Sequence, residues 1–301
     1  MELLEPLAWY PALFIGTCVV FGLLIGSFLN VVIYRVPVMM ENELRYECAA
    51  LAHPENEASA EPPPRFNLVT PRSRCPQCKA PVTALQNIPV ISWLALGRKC
   101  ASCKTPISAR YPAVELATGV LSGFIAWHFG YGGTALAALV FTWFLIALTM
   151  IDFDTQFLPD QITYPLLWAG LLFSLWNPVW AEGAAPVTPR DSLIGAAAGY
   201  LSLWSIYWLF KLITGKEGMG YGDFKLFAAL GAWLGWKMLL PIILFASAVG
   251  AVFGVVVMIR QRRGKDTPIA FGPFLAIAGW LAMIIGHQVV ERYLGLFATP
   301  G

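Results

Sequence analysis

The sequence predicts an all-α polytopic membrane protein of about eight transmembrane helices, carrying a small cytoplasmic insert of zinc-ribbon type. Three observations predict it. Hydrophobic residues make up 57% of the 301 positions and charged residues only 13%, about half the roughly 25% charge of a soluble domain, and mean hydropathy is +0.64. Uncharged stretches of helix-span length recur along the chain. Two Cys-x-x-Cys pairs sit together in the longest polar segment.

The first uncharged stretch runs from Pro11 to Ile33 and ends at Tyr34-Arg35. It is longer than the roughly 7–15 residues of a signal-peptide core and has no basic segment before it, so it reads as a first transmembrane helix. Further stretches follow at about 113–130, 134–151, 162–178, 191–210, 224–236, 238–259 and 268–288. Several fall short of the ~20 residues a helix needs to span a bilayer. The expected organisation is a first helix (1–34), an insert (35–112) with a four-cysteine zinc ribbon at 72–106, and a transmembrane core (113–290). If the amino terminus faces away from the cytoplasm, 17 of the 20 Lys and Arg fall on the cytoplasmic side, as the positive-inside rule demands. The insert is then cytoplasmic. A net charge of +2 offers no case for a nucleic-acid partner.

The insert opens with a polar stretch, Glu41 to Arg65, expected to be mobile. Cys75 and Cys78 form one pair and Cys100 and Cys103 the other, 21 residues apart. Such paired turns aim four thiolates at one tetrahedral metal. The gap slightly exceeds the usual range, and a longer hairpin would absorb it. Lys79 and Lys104 follow the two pairs and would offset the charge of a tetrathiolate centre. Disulfide and redox readings fit a reducing cytoplasm less well. Four thiolates leave no open position, so the zinc is structural. Cys18 reads as helix packing, and Cys48 carries no assigned role.

The informative acids lie at the cytoplasmic ends of helices. Asp152 and Asp154 close the third stretch, and Asp160 follows Leu158-Pro159. Asp160 suits the N-cap of the next helix. Gly218, Gly220 and Gly222 precede Asp223, with Lys225 just beyond. Carboxylates at such depth are costly and mark function. Two facing carboxylates cannot both ionise comfortably, so they share a proton and form an acid–base pair. The glycines let the backbone turn and an extended substrate approach. About 13 residues follow Asp223 before Trp236-Lys237, too few to cross, so Asp223 is expected to lie recessed below the surface. No Lys or Arg occurs between Leu145 and Arg190, leaving the face of Asp152, Asp154 and Asp160 free to attract a basic ligand. His53, His128 and His287 are badly placed for a Ser–His or Cys–His hydrolase. An Asp-x-Asp holding a divalent cation for membrane group transfer is the rival chemistry. A non-catalytic scaffold or transporter with a docking module is a third reading.

Gly220-Tyr221-Gly222-Asp223 is similar to the Gly-x-Gly-Asp signature of intramembrane aspartyl proteases. Together with Ile151-Asp152 and Leu158-Pro159-Asp160 it resembles the bacterial type IV prepilin peptidases. Gly26-Ser27-Phe28-Leu29-Asn30 with Arg35 and Pro37, the cysteine insert, Arg110-Tyr111-Pro112 with Glu115, and Phe271-Gly272-Pro273 extend the likeness over nearly the whole chain. The resemblance implies Asp152 and Asp223 as catalytic aspartates, with Gly220, Gly222, Asp154, Asp160 and Lys225 supporting the active-site loop. It implies cleavage of the basic leaders of type IV prepilins and type II secretion pseudopilins at the cytoplasmic face of the inner membrane. It also implies methylation of the new amino terminus from S-adenosylmethionine, for which the sequence names no residues.

Overall fold

The computed structural model describes residues 5–52, 66–180, 186–261 and 270–295. The chain divides into two compact units, Met1–Ala135 and Leu136–Gly301. It is an all-α polytopic protein, with only isolated β-bridges outside its helices among the described residues.

The first unit holds α1 (Glu5–Trp9), α2 (Pro11–Ala52), α3 (Ile91–Ala95) and α4 (Arg110–Phe129). Helix α2 has 42 residues, about 63 Å of rise, and runs through Pro37 well past the expected end at Ile33. Residues 41–52, expected to be mobile, are therefore helical. Their polarity hid a run of good helix formers, Met40, Glu41, Glu43, Leu44, Arg45 and Glu47, laced by a Glu41–Arg45 pair at 2.6 Å. Cys18 is buried on this helix and Cys48 exposed. The remainder of the polar stretch, with His53, lies outside the described residues.

Helices α2 and α4 pack through Gly22 and Gly26 on one and Gly119 and Gly123 on the other. A Cβ on Gly26 would stand 2.7 Å from the Glu115 Cα, so only glycine permits this approach. Between membrane helices, close van der Waals packing replaces the hydrophobic drive. The buried Thr118 and Ser122 hydroxyls donate to their own helix at Val114 O and Thr118 O, each at 2.7 Å.

Two hydrogen-bond sets tie the cysteine module to these helices. The buried Arg35 guanidinium of α2 donates to Asn67 O at 2.7 Å and Pro71 O at 2.6 Å. The Val90 N–H donates to Glu115 Oε2 of α4 at 2.8 Å. The segment between the cysteine pairs is not the expected hairpin but a 3-10 turn, Leu85–Asn87, followed by α3. A helical turn at this point brings Trp93 round to donate to Ile107 O at 3.1 Å, beside the second pair.

The second unit holds nearly all of α5 (Gly133–Thr155), then α6 (Asp160–Phe173), α7 (Pro189–Thr214), α8 (Tyr221–Leu234), α9 (Leu239–Gln261) and α10 (Gly272–Gly295). Helix α8 is the core element, contacted by α6, α7 and α10. Every residue from Asp223 to Leu234 is buried except Lys225. Trp233 of α8 donates to Leu166 O at 2.7 Å, and Ser192 of α7 donates to Ala232 O at 2.6 Å.

Helices stand at all eight expected positions, but among the described residues five are long and apolar enough to cross a membrane: those within Pro11–Ala49, Gly133–Thr155, Pro189–Thr214, Trp236–Val257 and Gly272–Val290. Helices α6 and α8 have 14 residues each, about 21 Å against a hydrocarbon core of about 30 Å.

Candidate functional site

Asp152 lies near the end of α5 and is buried at 4% exposure, whereas Asp154 is exposed. Residues two apart on a helix point to different sides, and α5 continues to Thr155. A cation shared by this pair, the rival chemistry, is therefore poorly served. The helix closes at Gln156, whose φ of 55° turns the chain toward Leu158.

Asp223 is also buried, at 7% exposure. It is the third residue of α8 after the N-cap Gly220. From there its carboxylate accepts the Gly220 N–H, the backward-reaching half of a capping box. On the other side, Asp152 accepts the backbone N–H of Gly272, the first residue of α10. Each carboxylate is thus held by an amide that a helix start leaves unpaired, at the positive end of that helix. The charge of Asp152 acts directly on Asp223. Asp152 Oδ2 is buried with no hydrogen-bond partner among the described residues. Leaving an acceptor in that state costs about 1–3 kcal/mol, which structure alone gives no reason to tolerate.

Leu158, buried in the α5–α6 turn, fills the floor beside these groups. A Cβ on Gly222 would come within 2.8 Å of Leu158 Cβ, and one on Gly272 within 3.1 Å of Leu158 Cδ1. The two glycines let the starts of α8 and α10 close on this turn.

Lys225 is 65 residues from Asp160 in sequence, yet its Nζ donates to both Asp160 oxygens at 2.7 Å and lies 5.2 Å from the centre of the Tyr164 ring. The acidic face is therefore not free of cations, as the bare sequence suggested: α8 brings one in. Nor is Asp160 an N-cap. Pro159 holds that place and Asp160 is the first helical residue. A second polar knot lies before α8, where Lys211 pairs with Glu217 at 2.8 Å and donates to Tyr207 Oη at 3.3 Å.

The four cysteines of the module converge. Their Sγ atoms all lie within 4.8 Å of one another, and Cys75 and Cys103 stand 3.8 Å apart. Sulfurs on a tetrahedral zinc with bonds of about 2.3 Å would be separated by about 3.8 Å, so the cradle fits that ion. The two knuckles are built alike. The Cys75 and Cys100 amides donate to Ala80 O and Thr105 O, and their carbonyls accept from the Lys79 and Lys104 amides. Both lysines adopt left-handed backbone, φ 59° and 62°. Hydrogen bonding with Thr105 holds the Cys103 thiol down at about 6, while burial and the neighbouring thiols push Cys78 up to about 11; a metal bound here would release the remaining protons.

Residues 20–129 match the model of the bacterial peptidase A24 N-terminal domain, and residues 139–255 that of the type IV leader peptidase family. A prepilin leader peptidase/N-methyltransferase of Aeromonas hydrophila is 51% identical over 99% of this chain and 98% of its own. The chain belongs to the type IV leader peptidase family. Proteins of the same description from Stutzerimonas stutzeri and Pseudomonas aeruginosa are 52% and 49% identical, each over 98% of both chains. No solved structure matches.

Within this leader-peptidase chain the structure brings together Asp152, Asp223, Gly220 and Gly222, sets the Lys225–Asp160 pair on α8 and α6, and turns Asp154 outward. Sequence reasoning missed the work of Gly272 and Leu158. Phe271-Gly272-Pro273 was visible as a motif, but only the approach of α10 to α5 shows what its glycine does.

Proposed function

We propose that the chain cleaves the basic leader from type IV prepilins and related pseudopilins with Asp152 and Asp223, at the cytoplasmic face of the bacterial inner membrane. One observation carries it: two buried carboxylates, one near the end of α5 and one at the start of α8, flank the Leu158 turn, and one of them keeps an unpartnered oxygen. The ionised carboxylate takes a proton from water, whose oxygen adds to the scissile carbonyl carbon. The protonated partner gives its proton to the carbonyl oxygen. Collapse breaks the C–N bond and returns a proton to the leaving amine. Gly220 and Gly272 keep both carboxylates oriented, and the glycine-rich approach to α8 admits an extended peptide.

The names of its relatives support a second activity, methylation of the new amino terminus, for which S-adenosylmethionine would supply the methyl group. The distribution of Lys and Arg, 17 of 20 on one side, supports the cytoplasmic orientation. Cys75, Cys78, Cys100 and Cys103 would hold a zinc ion, which closes the site and serves folding.

The test is leader removal from purified prepilin by the detergent-solubilised enzyme, for wild type and for Asp152→Asn, Asp154→Asn and Asp223→Asn, with and without EDTA. Loss of cleavage at Asp152 and Asp223, retention at Asp154, and indifference to EDTA are expected. Cleavage surviving Asp223→Asn, or restored by magnesium after chelation, would sink the dyad.

A further inference from the structure

The cysteine module carries a row of apolar side chains that the protein leaves uncovered. Leu85, Ile88, Ile91 and Leu94 recur at every third position, and they are exposed at 78%, 39%, 65% and 58%. Of the residues between them, only Asn87 is exposed. Pro89 is buried, and Val90 and Trp93 are half-buried, with Val90 and Trp93 bound to Glu115 and Ile107. Isolated exposed hydrophobes need no explanation, but four at a regular spacing on one short segment form a patch that marks a contact.

The charge around the row says with what. From Phe66 to Arg110 the chain has seven Lys and Arg and no Asp or Glu. Arg98 closes α3 and lies 5.0 Å from the centre of the Trp93 ring, and Lys99 pairs through a β-bridge with Pro106. Exposed apolar side chains on a segment whose only charges are basic suit the boundary of an anionic bilayer, where the hydrophobes enter the acyl edge and the cations meet lipid phosphates. A basic prepilin leader would be repelled by the same surface.

The module's tether sets its depth. Val90, between Ile88 and Ile91, is bonded to Glu115, five residues or about 8 Å of helix rise beyond the start of α4 at Arg110. Arg35 of α2 holds the far end of the module at Asn67 and Pro71. Both anchors are on helices that pack against each other within the unit Met1–Ala135, so the row cannot swing far from α2 and α4.

We propose that Leu85, Ile88, Ile91 and Leu94 dock the cysteine module onto the anionic lipid surface beside α2 and α4, with Arg98 and Lys99 contacting lipid phosphates. The inference rests on the membrane fold and not on the catalytic dyad. It holds the module in a fixed pose beside the bilayer rather than free in solvent.

The experiment uses the full chain in lipid nanodiscs, with benzoylphenylalanine in place of Ile91 or of Leu94 and metal content measured to show the module intact. On irradiation, adducts with phosphatidylglycerol are expected at both positions. They should fall several-fold in phosphatidylcholine discs or when Arg98→Gln and Lys99→Gln are combined. Adducts with a second copy of the chain or with added prepilin, adducts insensitive to lipid charge, or none at all in metal-loaded protein would overturn it. If the substituted chains lose metal, hydrogen exchange over residues 85–98 of the unmodified protein decides. Slower exchange in anionic than in zwitterionic discs supports the docking, and equal exchange refutes it.

Discussion

Gly272 lies against Asp152 so closely that a Cβ at position 272 would stand 2.6 Å from Oδ2 and 3.1 Å from Cγ of the aspartate. Real Cβ atoms do not approach a buried carboxylate to that distance, so Gly272→Ala must move either the carboxylate or the start of α10. A displacement near 1 Å at a reacting group costs about 100-fold in rate. Leader cleavage by Gly272→Ala should therefore lose about that factor in kcat, and a loss in kcat with KM little changed would show that the change acts on the reaction rather than on leader binding. Steady-state kinetics on purified prepilin check it. A wild-type kcat would mean that the Gly272 amide does not orient Asp152.

The Lys225–Asp160 pair leads to a different expectation from that of the two buried acids. Its side chains are 21% and 44% exposed, so the pair is worth no more than about 1 kcal/mol. Asp160→Asn should slow cleavage modestly and leave it detectable, unlike Asp152→Asn. Exchange of the two residues, Lys225→Asp with Asp160→Lys, should recover part of the loss. Because Asp160 already spends its charge on Lys225, the salt dependence of leader binding should not change in Asp160→Asn. A marked loss of salt dependence would restore Asp160 to the leader-attracting role that the bare sequence suggested.

The fold class was legible because lipid imposes composition: a chain with so few charges has nowhere else to fold. The cysteine cradle was legible because its spacing is local, and Asp223 because its glycines are neighbours in sequence. What escaped was whatever two distant segments make between them. Lys225 reaches Asp160 across 65 positions, and Gly272 meets Asp152 across 120; no period or motif encodes either approach. The helical continuation of α2 past Ile33 was hidden by its polarity, since charge was read as mobility where i,i+4 pairing and good helix formers prevail. Asp152 and Asp154, alike in spacing, differ in burial: one turns in and the other out.

Disrupting the four-cysteine cradle should distinguish the module's role from that of the proposed catalytic pair. Asp152, Asp223, Gly220 and Gly272 all belong to the unit Leu136–Gly301, whereas the four cysteines lie in Met1–Ala135. Cys75→Ser with Cys100→Ser should abolish zinc retention and open the 66–110 segment to protease. Leader cleavage should persist within about ten-fold of wild type, well short of the roughly 10²–10⁴-fold that loss of an acid–base group costs. Metal content by plasma mass spectrometry, limited proteolysis and the cleavage assay read the three effects. Complete loss of cleavage in a protein whose second unit stays protected would show that the module takes part in the peptidase reaction.

Trp233 tests whether the core around α8 sets the dyad. Its ring is 2% exposed, packs 5.0 Å from Phe141 and 5.8 Å from Phe173, and lies over Gly170, where a Cβ would come within 2.5 Å of Cδ1. Its Nε1 bonds Leu166 O of α6 at 2.7 Å, so one side chain joins α5, α6 and the far end of the helix that begins at Asp223. Trp233→Phe keeps most of the volume and removes the hydrogen bond, a loss of about 1 kcal/mol. Trp233→Ala leaves a cavity costing about 3–5 kcal/mol. Thermal unfolding in detergent should rank wild type, Phe and Ala in that order. If α8 acts as a rigid rod, cleavage by the Phe variant should stay near wild type, and by the Ala variant should fall even at temperatures where it remains folded. Full activity in a folded Trp233→Ala protein would mean that the dyad is held by the helix starts alone, through Gly220 and Gly272, and needs nothing from the core beneath them.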